Sequence, residues 1–108
     1  MDSRLPLEID PLALARRHGD DVLLLDVRES WERDICLIAG SRHIPLGQIV
    51  ERVGELSAEM PVVVYCHHGA RSLQAVLWLR QQGFAGAVNL GGGVDAWAEL
   101  VDPDMARY

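Results

Sequence analysis

Short apolar runs separated by polar residues and glycines divide this chain. Val22-Leu23-Leu24-Leu25-Asp26-Val27 is a continuous apolar run bounded by polar residues, the pattern of a strand buried on both faces. Val62-Val63-Val64-Tyr65 is a second such run and Ala87-Val88-Asn89-Leu90 a weaker third. Ile9 with its neighbours, and Arg42-His43-Ile44, read as short strands ahead of prolines. Helical segments lie between them. Asp10 and Pro11 suit the cap and first position of a helix over Leu12 to His18, stopped at Gly19, with Arg16, Arg17 and His18 in its last turn. Ser30 to Ile35 predicts one or two helical turns. Leu46 to Val53 predicts an amphipathic helix through Leu46, Ile49, Val50 and Val53. Ser72 to Gln82 is apolar nearly all round, which predicts a largely buried helix ending at Gly83. Val94 to Leu100 predicts a last helix after a turn at Gly91-Gly92-Gly93. Strands alternating with helices predict an α/β domain with a mainly parallel sheet, which binds ligands beyond the carboxyl ends of its strands.

At 108 residues the chain is predicted to form one domain over 1–108, large enough to hold a core without staples. Its 49% apolar and 24% charged residues are those of a globular protein. No apolar run of about 18 residues offers a membrane span, and the opening MDSRLPLEID lacks the apolar stretch of a secretion signal. The expectation is a cytoplasmic protein with free thiols. A net charge of −6 disfavours partnership with nucleic acid or an anionic membrane. All ten basic residues are arginines, which removes lysine chemistry and leaves arginine, histidine and backbone N–H groups to bind anions. Two cysteines, Cys36 and Cys66, are too few for a disulfide framework or a cysteine-only zinc site, and four histidines without ligand spacing make no metal site.

The strand-end rule points to Cys66-His67-His68-Gly69-Ala70-Arg71-Ser72, which follows Tyr65 directly. The first turn of the next helix offers unpaired N–H groups and a positive dipole end. A loop folded back over the sulfur aims its own N–H groups inward as an anion nest. Both effects favour thiolate over thiol. Arg71 adds a permanent charge with the fork geometry for an oxyanion. A plain alternative is a small buried hydrophobe at Cys66 with a tight turn at Gly69.

Nearly the whole chain resembles the rhodanese family of sulfurtransferases in its small single-domain form. The likeness rests on Asp26-Val27-Arg28-Glu29 with Trp31-Glu32, on Gly40 to Leu46, on Val62 to Cys66 with Gly69 to Ser72, on Gly83-Phe84, and on Asn89 to Trp97. It implies a rhodanese-like fold: a mainly parallel five-stranded sheet flanked by helices on both faces. It also implies an enzyme of the thiosulfate sulfurtransferase type, with no cofactor. The Cys66 thiolate takes sulfane sulfur from a donor such as thiosulfate, and a thiol, a protein or cyanide removes it from the persulfide. The backbone of His67 to Ser72 is then the anion cradle and Arg71 the contact for the donor's oxyanion. From Cys66 to Arg71 is six residues, one fewer than the loop of the related dual-specificity phosphatases, which places phosphate or arsenate chemistry below sulfur transfer. His67 and His68 are expected to tune donor binding, weakening it as pH rises. Alternatives are a persulfide relay for cofactor or tRNA thiolation and a non-catalytic interaction module. A monomer or weak dimer is expected.

Asp26 and Arg28 end a buried strand, and the resemblance implies that they sit near the loop. Asp26 is expected to hold the loop or to serve a fold-shaping charge network, and Arg28 to pair with Glu29, Glu32 or an anion. Ser72 either bonds the sulfur or caps its helix. Cys36 stands where family members often have glycine, and it is either a small buried residue or a resolving thiol within about 7 Å of Cys66. Trp31, Trp78 and Trp97 are expected in the core or at the rim of the site.

Overall fold

A computed structural model describes residues 6–17 and 21–108. Its elements run β1 (Glu8–Ile9), α1 (Pro11–Arg17), β2 (Leu23–Asp26), α2 (Ser30–Ile35), β3 (Arg42–His43), α3 (Ile49–Arg52), β4 (Val62–Tyr65), α4 (Ala70–Gln81), β5 (Ala87–Leu90) and α5 (Gly93–Leu100). Five strands form one sheet in the order β1-β5-β4-β2-β3, and every pairing is parallel. The α/β architecture expected from the apolar runs is the one observed. β4 lies in the middle, with Val64 opposite Leu25 on one side and Asn89 on the other. The carboxyl ends of β2, β4 and β5 therefore meet along one edge.

Alternation along the strands sends side chains to two cores. Leu25, Val62, Val64 and Ala87 pack with Ile44, Ile49, Ala75, Val76 and Leu79 under α3 and α4. Leu24, Val63, Tyr65 and Leu90 pack with Leu14, Val94 and Trp97 under α1 and α5. This is why β2 and β4 are apolar on both faces.

Local chemistry sets the element boundaries. Asp10 caps α1 by accepting from the backbone N–H groups of Leu12 and Ala13 at 2.8 and 3.0 Å. The expected end of that helix, His18 and Gly19, lies outside the described residues. A capping box between Glu29 and Glu32 starts α2. The segment expected as one helix over Leu46 to Val53 is broken instead: 3-10 turns at Leu46–Gln48 and Val53–Glu55 flank the single turn of α3. α4 begins at Ala70, two residues before the expected start, because Gly69 turns the chain with φ +111°. It is also less buried than its composition suggests. Only Ser72, Ala75, Val76 and Leu79 are buried, while Leu77 is 46% exposed. A helix lying on one face of a sheet buries one stripe, whatever the rest of its surface carries. Among the described residues, no helix is long and apolar enough to cross a membrane.

Candidate active site

β4 delivers Cys66 to the middle of the strand edge, where the residue is 1% exposed. The chain then turns at Gly69 and returns as α4. The Cys66 Sγ accepts from the Gly69 N–H at 3.1 Å and from the Ser72 N–H at 3.4 Å, with the Ser72 Oγ 3.3 Å away. Two amides directed at one sulfur are the start of an anion nest, built from the turn and the mouth of α4. Donors placed in this way match a sulfur that carries negative charge.

The loop is held from outside by α5 and β5. The Val94 N–H donates to the Cys66 carbonyl at 2.9 Å and the Asp95 N–H to the His67 carbonyl at 3.1 Å. This close approach requires Gly93. A Cβ there would lie 2.4 Å from the His67 oxygen and 2.6 Å from the Cys66 oxygen. From β5, the Asn89 Nδ2 donates to the Gly69 carbonyl at 3.0 Å and to the Glu8 carboxylate at 3.2 Å. Its Oδ1 accepts from the Ser72 hydroxyl.

Arg71 lies at the loop end, but its guanidinium is already matched. Nη1 and Nη2 donate to the two Glu32 carboxylate oxygens at 2.7 and 2.9 Å. That fork raises the Arg71 pKa, and the Arg71 hydrogen bond holds Glu32 down to about 2, against the cost of its burial. Tyr108 donates to the same carboxylate at 2.6 Å; burial, then that bond, pushes its phenol up to about 12.

The sequence-based pairing of Arg28 is corrected. Arg28 is wholly buried and pairs with Asp26, not with the Glu29 or Glu32 carboxylate. It donates to Asp26 from Nε and Nη2, and to the carbonyls of Glu32 and Cys36 and the Tyr108 hydroxyl. Burial opposes its charge, yet the Asp26 and Tyr108 hydrogen bonds outweigh that and raise its pKa. Asp26 also takes Arg33 at 3.0 Å, so its carboxylate serves this charge network and not the Cys66 loop. His43 donates from Nε2 to the Arg28 carbonyl at 2.6 Å, tying β3 to the same network.

His67 is stacked between the rings of His68 and Tyr108, with centroids 3.9 and 3.8 Å away. Burial, then the neighbouring His68, pushes its pKa below the ordinary imidazole value. Its Nε2 is buried without a hydrogen-bond partner. His68 is exposed, 3.9 Å from Asp95, and Ala70 opens α4 on the exposed side. Cys36 packs with the core on the α1 and α5 side, whereas Cys66 belongs to the opposite core; both are free thiols. Trp97 is buried and Trp78 half-buried, but Trp31 is 58% exposed, edge-on to Tyr108.

Sequence reasoning missed Asn89, Glu8 and Tyr108, and it left Glu32 without its true partner. Asn89 had a signal: it is a polar residue in an apolar strand, at the carboxyl end beside β4. Tyr108 had none, since it is brought to Glu32 from 76 residues away.

The rhodanese-like domain model matches residues 11–100. A sulfurtransferase of Allochromatium vinosum is 42% identical over 101 residues, covering 92% of this chain and 94% of that protein. The thiosulfate sulfurtransferase GlpE of Pseudomonas paraeruginosa is 33% identical, covering 84% of this chain and 81% of its own. The crystal structure of a rhodanese-related protein from Thermoplasma volcanium superposes with a TM-score of 0.81 at 34% identity, over 85% of this chain and 90% of that one. Other relatives, with adenylyltransferase and sulfurtransferase in their names, are much longer: this chain spans only 20–24% of their length.

Proposed function

The chain belongs to the rhodanese-like domain family, and on that premise we propose that it is a sulfurtransferase whose Cys66 carries sulfane sulfur as a persulfide. The observation that carries this is the sulfur at the β4–α4 turn, accepting from the Gly69 and Ser72 amides. In the first half-reaction the Cys66 thiolate attacks the outer sulfur of thiosulfate. The S–S bond of the donor breaks, and sulfite leaves with the bonding pair. Cys66 then holds Sγ–S⁻, with the negative charge on the outer sulfur. In the second half-reaction cyanide or an acceptor thiolate attacks the outer sulfur, and the Cys66 thiolate is restored. Both resting forms are anions at the mouth of α4, where the helix dipole favours negative charge.

Thiosulfate as donor is supported by the likeness to GlpE, over most of both chains. Arg71 is the nearest cation by sequence, and with its fork bound to Glu32 it acts on the donor as part of an ion pair. His67, pushed towards neutrality, adds stacking surface at pH 7 rather than charge.

A second reading is a relay that passes the same persulfide sulfur to a protein acceptor; the longer relatives, whose names join sulfurtransferase to adenylyltransferase, are compatible with it. Thiosulfate–cyanide turnover tests the enzymatic proposal. Wild type and Cys36→Ala are expected to turn over, and Cys66→Ala to be inactive. Turnover surviving in Cys66→Ala overturns the assignment. A wild type inactive towards cyanide, yet discharging its sulfur to a protein acceptor, selects the relay.

A further inference from the structure

The hydroxyl of Ser72 lies 3.3 Å from the sulfur, close enough to donate to it. The polar network behind it decides whether it does. Asn89 is buried in β5, on the face that carries Val64 and Ala87 beneath α4. Its amide orientation is set by its partners. The atom facing the Gly69 carbonyl at 3.0 Å must be a donor, because that carbonyl has no hydrogen to give. Turning the amide over would set two acceptors against each other. The second hydrogen of Nδ2 goes to the Glu8 carboxylate. Oδ1 is thereby aimed at the Ser72 Oγ, and it needs a donor. A serine hydroxyl has one hydrogen.

We propose that Asn89 is a positioning residue that withholds the Ser72 hydrogen from Cys66, so that the serine faces the sulfur as an acceptor. The inference rests on Cys66 being a reactive thiol. Its consequence is a division of labour around one atom. The Gly69 and Ser72 amides favour the sulfur anion, and the Ser72 oxygen favours the protonated thiol, which can donate to it. The anion is then less stabilised than three donors would make it, and a less stabilised thiolate is the stronger nucleophile. The same reasoning covers the persulfide: a carrier sulfur that is not over-bound is released more readily to its acceptor. The edge strand β1 takes part through Glu8, which lies opposite Asn89 in the sheet.

The sign of one substitution decides the matter. Ser72→Ala deletes an oxygen and leaves both amides in place. If Ser72 is the acceptor, its loss removes support for the thiol, and the pH of half-maximal iodoacetamide alkylation of Cys66 moves down by about 0.5–1 pH unit, the size of one ordinary hydrogen bond. A midpoint that stays or moves up means that the hydroxyl is idle or donates to the sulfur, and overturns the proposal. Asn89→Ala is expected to shift the midpoint down as well, by freeing the hydroxyl to donate. Adding it to Ser72→Ala is expected to produce no further shift, because no hydroxyl remains to be freed; an equal further shift in the double variant contradicts the coupling. Ser72→Ala alone is decisive if Asn89→Ala does not fold. Failure of the underlying reading has a different signature: wild-type Cys66 would then resist alkylation across the whole pH range.

Discussion

Glu32 shows how much one side chain links in this molecule. Its carboxylate takes both Arg71 nitrogens and the Tyr108 hydroxyl, and its other role is in the capping box of α2. Because the folded state holds it at about 2, below the ordinary 4.5, the unfolded chain binds its proton more readily. Its contribution to stability is complete above pH 4.5 and is lost as pH falls through about 2. Urea unfolding of Glu32→Gln should show a stability gap from wild type at pH 7 that closes between pH 4.5 and 2; a constant gap would mean that the ion pair contributes nothing. Asp26 carries a different risk. Asp26→Asn leaves the wholly buried Arg28 without its counter-charge, a loss of about 3–5 kcal/mol measurable by denaturant titration. The neighbouring His67 is held below the ordinary imidazole value, so its loss of charge falls on the acidic side of that range. The donor KM of wild type should rise through that acidic window and that of His67→Ala should not. Superimposable profiles would remove His67 from donor binding. The Asp26–Arg28 pair is local, two positions apart, but the partners of Glu32 were not legible in the sequence, because only the fold brings them together. Arg71 and Glu32 are 39 positions apart.

Elements were far more legible, and the reason is physical. A strand buried on both faces must be continuously apolar, so Val62–Tyr65 marked β4, and with it the position of Cys66 at the strand end. Boundaries were less legible where backbone geometry, not side-chain character, sets them. Gly69 at φ +111° starts α4 two residues early, and the apolar Leu46 and Val53 of the 3-10 turns around α3 are spaced as they would be in an α-helix. The Gly91-Gly92-Gly93 turn was legible as a turn but not as a docking point. Gly93 lets α5 approach the Cys66 and His67 carbonyls, and that contact sets the loop. Gly93→Ala should therefore destabilise the protein by about 1–3 kcal/mol through overpacking and lower the rate of sulfur loading. Gly47→Ala, with nothing within 4 Å of the added methyl, is the control expected to leave both nearly unchanged. Equal effects of the two would deny α5 its part in holding the loop.

At the scale of the molecule, an all-parallel sheet with β4 at its centre brings β2, β4 and β5 to one edge. The strands therefore supply a charge network at Asp26, a sulfur at Cys66 and an amide at Asn89 side by side. The two faces of the sheet keep the thiols apart, Cys36 in one core and Cys66 in the other. With two free cysteines and Cys66 proposed as the carrier, sulfur loading has a sharp signature. The most direct measurement is the intact mass of the protein after treatment with excess thiosulfate, followed by cyanide. Wild type and Cys36→Ala are expected to gain one sulfur atom that cyanide removes, and Cys66→Ala to gain none. An unchanged wild-type mass, or sulfur that persists in Cys66→Ala, would contradict Cys66 as the carrier.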